Sequence, residues 1–172
     1  MTTTWRDIQL TADQISRLEQ SERSRLAASP LSPCRVNAAE GLLHLAQAYA
    51  KENALQTTLA HLPSPEGAAE VEPWEVCDEP VRSFTGSSWR VPVGDILTAD
   101  SFITVEIVGE QRADGRVTRW LHVEGPVSDL PLPALRMLVE SLAEAHAEAE
   151  RMNQADGGTV ADEPVFSHAG LS

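Results

Sequence analysis

Phe102-Ile103-Thr104-Val105-Glu106-Ile107-Val108 and Val117-Thr118-Arg119-Trp120-Leu121-His122-Val123 decide the fold. Both segments alternate. Ile103, Val105 and Ile107 share one face of the first, and Leu121 and Val123 share one face of the second. Apolar alternation with a period of two marks a half-buried strand. Arg112-Ala113-Asp114-Gly115-Arg116 between them is a turn signal, so the pair reads as a β-hairpin. A two-residue Asp-Gly loop would set Ile107 opposite His122. A three-residue loop with Gly115 at a left-handed bulge position pairs Arg112 with Arg116. It then sets Ile107 opposite Leu121 and Val105 opposite Val123. Because a one-residue slip moves a whole apolar set to the other face, the three-residue loop is preferred. It leaves Glu106 opposite His122 and Val108 opposite Trp120 on the second face.

After Gly125-Pro126 the periodicity changes. From about Pro133, Leu135, Leu138, Val139, Leu142, Ala145, Ala149 and Met152 recur at three- and four-residue spacing, with Glu140, Glu144, Glu148 and Arg151 on the other side. Proline suits a first helical turn, and Asn153 to Gly158 supplies stop signals. The sheet face and the helix stripe each need a partner. The economical solution lays this helix on the Ile103/Val105/Ile107 face.

Working back toward the N-terminus, Leu10-Thr11-Ala12-Asp13-Gln14-Ile15 is a capping box with a hydrophobic staple. It starts a helix from about Ala12 to Leu26, striped by Ile15, Leu18 and Leu26, with Trp5 and Ile8 anchoring the segment before it. Ser29-Pro30-Leu31-Ser32-Pro33 breaks the chain. A second cap at Asn37–Glu40 opens a helix carrying Leu42, Leu43, Leu45, Ala46, Tyr49 and Ala50. Its apolar phase shifts after Lys51, which predicts a kink or a new short helix from Asn53 to about Leu62. Residues 63–80 form an acidic loop holding Trp74, Glu75, Cys77 and Asp78. Val81–Phe84 and Ser88–Val93 read as two short strands around Thr85-Gly86-Ser87, with Pro92 marking an edge or an early end. The expected fold is α+β. Helices occupy the N-terminal region 1–62. An antiparallel sheet of about four strands and the long helix on one of its faces occupy 81–153, and 154–172 is a mobile tail.

The 172 residues hold 26 acidic and 13 basic side chains, a formal net charge of −13. That balance argues against direct nucleic-acid binding, which needs lysine and arginine to displace counterions, and against anionic membrane surfaces. The aromatic residues are few, but four of them are tryptophan. Two cysteines, Cys34 and Cys77, make no disulfide framework. No apolar run is long enough for a membrane helix, and the N-terminus lacks a signal peptide's basic and apolar regions. The expected location is the cytoplasm.

No catalytic or binding signature emerges. Cys34, Cys77 and the histidines 44, 61, 122, 146 and 168 are scattered, without C-x-x-C or H-E-x-x-H spacing. There is no G-x-S-x-G elbow, no Walker sequence and no G-x-G-x-x-G. A helix-turn-helix within 12–52 would have Lys51 as the only basic residue of its reading helix, a poor fit to DNA. The Glu106/His122 pair across the hairpin reads as a surface contact before it reads as acid–base machinery. No metal, cofactor or catalytic residue is expected.

Thr4-Trp5-Arg6-Asp7-Ile8, Leu10–Ile15 and Ala48-Tyr49-Ala50-Lys51-Glu52-Asn53 are similar to segments of small uncharacterised proteins of mycobacteria and their phages. So are Pro73-Trp74, Ser83-Phe84, Ser88-Trp89-Arg90, Gly109-Glu110-Gln111 with Asp114-Gly115, and the alanine-rich end of the last helix. The resemblance covers most of residues 4–152. It implies a phage-like or actinobacterial context and no assigned activity. The function expected is a non-enzymatic accessory protein that binds a protein partner, such as a host factor. Its candidate contact residues are Trp5, Trp74, Glu75, Asp78, Trp120 and His122, since tryptophan is enriched at binding hot spots. The alternatives are an acidic nucleic-acid mimic that blocks a DNA-binding protein, and an enzyme with an unrecognised site. An exposed strand edge also offers a route to homodimers.

Overall fold

The computed structural model describes residues 4–27, 38–93, 101–157, 159–160 and 165–167. The chain forms two units, Met1–His61 and Leu62–Ser172. The break at Ser29–Pro33, the cap at Asn37, Cys34 and His168 lie outside the described residues.

In the first unit, a 3-10 turn at Trp5–Asp7 leads to α1 (Ala12–Ala27) and then α2 (Ala38–Leu59). The α1 start is the expected capping box. Gln14 N–H donates to Thr11 Oγ1 at 3.3 Å, and Thr11 N–H donates to Gln14 Oε1 at 3.0 Å. Trp5, Leu18, Leu42 and Ala46 form the buried core, with Ile8, Leu10 and Tyr49 packed around them. Of the stripe read on α1, only Leu18 is buried; Ile15 and Leu26 are exposed. No new helix starts after Lys51; α2 is continuous to Leu59. Asn53 caps nothing there. Its side-chain amide pairs reciprocally with that of Gln14, at 2.9 and 3.0 Å, tying α2 to the first turn of α1.

The second unit is a sheet with one helix across it. Its strands are β1 (Glu70–Val71), β2 (Val81–Pro92), β3 (Phe102–Arg112), β4 (Val117–Glu124), β5 (Thr159–Val160) and β6 (Val165–Ser167). The order is β1-β2-β3-β4-β5, with β6 also on β4. The first four strands pair antiparallel, and β5 and β6 pair parallel to β4. The β3–β4 register is the one argued from the sequence: Ile107 faces Leu121, Val105 faces Val123, and Glu106 faces His122. Arg112 N–H donates to Arg116 O at 2.9 Å, and Gly115 has φ +88°.

Residues 81–92 are one strand, not two around a turn. Thr85 pairs with Val108 and Ser88 with Glu106, so Gly86 and Ser87 together oppose Ile107 alone. This is a β-bulge. Phe84 and Trp89 are five residues apart and would point to opposite faces of a regular strand. The extra residue brings both onto the core face. The acidic segment is not a free loop either. Glu70–Val71 pairs with β2, and Glu72 and Glu75 donate backbone N–H bonds to Ser83 O and Val81 O. Glycine and serine at the bulge, and a proline-interrupted acidic run at the edge, hide these strands from period-two reading.

Helix α3 (Leu132–Asp156) lies on the core face, with Pro133 in its first turn. Leu138, Ala145, Ala149 and Met152 pack on Val91, Ile103, Val105, Ile107 and Val123. Burial of each large aliphatic side chain contributes about 1.5–3 kcal/mol. Alanine at 145 and 149 lets the helix lie close to the sheet, and both are fully buried. Leu135 and Val139, read as part of the stripe, are exposed instead. The helix also outruns its expected end. It continues through Asp156 to a left-handed Gly157, φ +70°, and β5 and β6 follow within the stretch expected as a mobile tail.

Candidate functional site

The sheet has a second face, turned away from α3. Four of its rows carry glutamates. Glu70, Thr85, Val108 and Trp120 align across β1 to β4. On one side lie Ser83, Glu110 and Thr118, with Glu72 beside Ser83. On the other lie Ser88, Glu106 and His122, and beyond them Arg90, Thr104 and Glu124. Trp120, Val108, Glu106, Glu110 and His122 are all half-buried, while Glu70, Glu72 and Glu124 are exposed. Trp120 and Val108 floor a depression of about 170 Å³ whose rim includes Glu70 and Glu72. None of the five glutamates on this face makes an ion pair among the described residues. The face's described arginines are already engaged: Arg90 stacks over Phe102 at 4.1 Å, and Arg112, two residues beyond Glu110, pairs with Glu79 at 2.9 Å.

Two of the six expected contact residues are therefore corrected. Trp5 is 5% exposed and belongs to the core of the first unit. Trp74 is 3% exposed, with the Arg82 guanidinium 4.6 Å over its ring. Arg82 also donates to Gln111 Oε1 at 2.8 Å and Pro63 O at 2.8 Å, and burial pushes its pKa down. An indole packed in this way pins the edge segment to its own unit and offers nothing to a partner. Glu75 and Asp78 are exposed on that segment. Trp120 and His122, two residues apart on β4, share the open face.

The sequence reading missed Arg119. It has the same parity as Leu121 and Val123, so it points into the core, and its side chain is fully buried. Phe84, Gly109 and Arg119 form one row across β2, β3 and β4. A Cβ at position 109 would lie 2.4 Å from the Phe84 ring, so glycine there makes room for it. Arg119 lies 5.4 Å over that ring. Its Nη1 donates to Asn153 Oδ1 at 2.6 Å and Asp156 Oδ1 at 3.1 Å. Its Nη2 donates to Asp156 Oδ2 at 2.5 Å and Glu66 O at 2.9 Å. The parity of Arg119 and its pairing with a glycine were the available signals. This is a structural clamp: the Nη1 and Nη2 donors are directed at the chain's own acceptors, Nε is buried without a partner among the described residues, and the side chain is closed to solvent.

Among the described residues nothing else gathers chemistry. Cys77 Sγ lies 3.0 Å from Glu79 O on the exposed edge segment. Among the described residues, no three His, Cys, Asp or Glu side chains come together as a metal ion would need. A wide groove in the first unit, about 790 Å³, is lined by Gln9, Leu10, Thr11, Asn53, Thr57 and their neighbours, without an ionisable group. Among the described residues no helix is long and apolar enough to cross a membrane. The chain matches no family model, no curated protein and no solved structure.

Proposed function

We propose that this is a non-enzymatic accessory protein of phage or actinobacterial context, acting in the cytoplasm, which docks a protein partner on the open face of its sheet. The observation that carries this reading is the half-buried Trp120–Val108 floor, over which none of the described elements of its own unit packs. An aromatic residue in a shallow apolar centre, ringed by polar groups, has the anatomy of a binding hot spot. Trp120 is the anchor, and His122 and Glu106 lie at its side. Trp5 and Trp74 are structural.

The nucleic-acid-mimic reading has less behind it. Among the described residues the exposed carboxylates of this unit are scattered over the outer side of α3, the open sheet face, the hairpin turn and the edge segment at Glu75 and Asp78. Val108 and Trp120 interrupt those on the sheet.

Affinity capture from a mycobacterial lysate tests the proposal. The wild-type chain should enrich one protein at near-stoichiometric level, and Trp120→Ser should lose it while far-UV circular dichroism stays unchanged. Equal capture by both, or no enrichment by either under several conditions, overturns the proposal.

A further inference from the structure

We infer that the partner presents a cationic segment, with arginine or lysine side chains set around an apolar residue that enters the Trp120–Val108 depression. The inference rests on the docking role of the open face and gives it a ligand chemistry.

The geometry of the face carries it. Glu106 and Glu110 lie two residues to either side of Val108 on β3, each about 7 Å away along the strand. Glu70 closes the same row, two strands over, at about 10 Å. Trp120 is the next residue across the sheet from Val108. The centre is thus apolar and three sides carry carboxylates. These glutamates have no cation within ion-pair distance among the described residues; Arg90 is held over Phe102 two rows from Val108, and Arg112 is held by Glu79 two rows away on the other side.

That pattern selects among occupants. An apolar surface alone would leave half-buried Glu106 and Glu110 facing it, and covering an unpaired carboxylate is costly. A second copy brings another −13 of net charge, so self-association on a carboxylate-ringed face is opposed by repulsion. An anionic ligand, nucleic acid included, meets the same sign. A cationic segment supplies each glutamate with a partner, and a guanidinium can stack on the Trp120 ring while pairing with a carboxylate.

The test uses the full-length chain, ¹⁵N-labelled, and two synthetic 12-residue probes. One carries three arginines around a central leucine; the other has citrulline at those three positions. The arginine probe should shift the Trp120 indole resonance and the amides of Glu106, Val108 and Glu110. The citrulline probe should bind at least ten-fold more weakly. Glu106→Gln/Glu110→Gln should weaken the arginine probe at least five-fold. Glu140→Gln/Glu144→Gln, which removes the same charge from exposed positions of α3, should change it less than two-fold. Equal binding of the two probes, no binding, shifts on other surfaces, or equal losses in the two double variants overturns the cationic partner. If Trp120→Ser still abolishes capture from lysate in that case, the docking face stands and only its ligand chemistry falls. If Trp120→Ser changes neither capture nor probe binding, the docking face falls as well.

Discussion

Arg119 reaches from β4 to Asp156 in the last turn of α3 and meets both carboxylate oxygens, at 3.1 and 2.5 Å, with its own side chain wholly excluded from water. The cation also sits at the carbonyl end of the helix, where positive charge is favoured. Removing the carboxylate leaves a guanidinium wholly excluded from water without its counter-charge, whereas replacing Arg119 strands a carboxylate that is 20% exposed and can still be hydrated. Asp156→Ala should therefore destabilise the chain by about 3 kcal/mol, and Arg119→Met by less. Urea unfolding followed by far-UV circular dichroism gives both values. The reverse order would show that the pair is not the source of the stability.

Gly109 and Gly157 are glycines for different reasons, and one experiment separates them. A Cβ at 109 would lie 2.4 Å from Phe84 Cζ and 2.5 Å from the Thr118 carbonyl oxygen, and the latter is backbone. At 157 a Cβ meets nothing within 4 Å, but φ is +70°. Gly109→Ala should cost about 3 kcal/mol through overpacking, and Gly157→Ala about 1 kcal/mol through backbone strain. Phe84→Leu should recover only part of the Gly109→Ala loss, because the Thr118 oxygen remains in the way.

The first unit should be acid-sensitive through two surface carboxylates. The Glu22 carboxyl is held below its ordinary pKa first by its hydrogen bond from Arg6, and Asp7 first by the backbone N–H of Thr4. A depressed folded-state pKa contributes stability that is fully present above the unfolded value, about 4, and lost as pH falls through the folded value. Unfolding midpoints at pH 6 and pH 3 should differ less for Glu22→Gln than for wild type. An unchanged difference would remove Glu22 from the account.

Trp74 should behave as a core residue. Trp74→Ala is expected to cost about 3–5 kcal/mol, the range for truncating a buried aromatic. At temperatures where the variant remains folded, it should bind any partner of the open face as wild type does. Selective loss of binding without loss of stability would return Trp74 to the contact surface.

How much of this was legible follows from where each feature's signal lies. The β3–β4 hairpin could be read to the residue because two alternating segments and one glycine turn admit a single register that buries both apolar sets. The helix face was legible in outline. Its rotation was not: Leu135 and Val139 fit the stripe as well as Ala145 and Ala149 do, and only packing against the sheet selects the alanines. The long β2 was hidden because its bulge is written in glycine and serine, which also write turns. The β1 edge was hidden because so short a strand has no period. Three of the four tryptophans looked like binding anchors and two of them, Trp5 and Trp74, are buried, because burial of an indole is decided by neighbours remote in sequence, such as Arg82 for Trp74. Trp120 and His122 were placed correctly because the hairpin register alone fixes their face.

The row of Phe84, Gly109 and Arg119, closed by Asn153 and Asp156, has a consequence for descent. No member can change freely while the others stay: a side chain at 109 displaces the ring at 84, and a shorter residue at 119 strands the carboxylate at 156. Substitutions among diverging copies of this chain should arrive there in matched sets. The open face around Trp120, which no such mutual dependence holds, should diverge with whatever it binds.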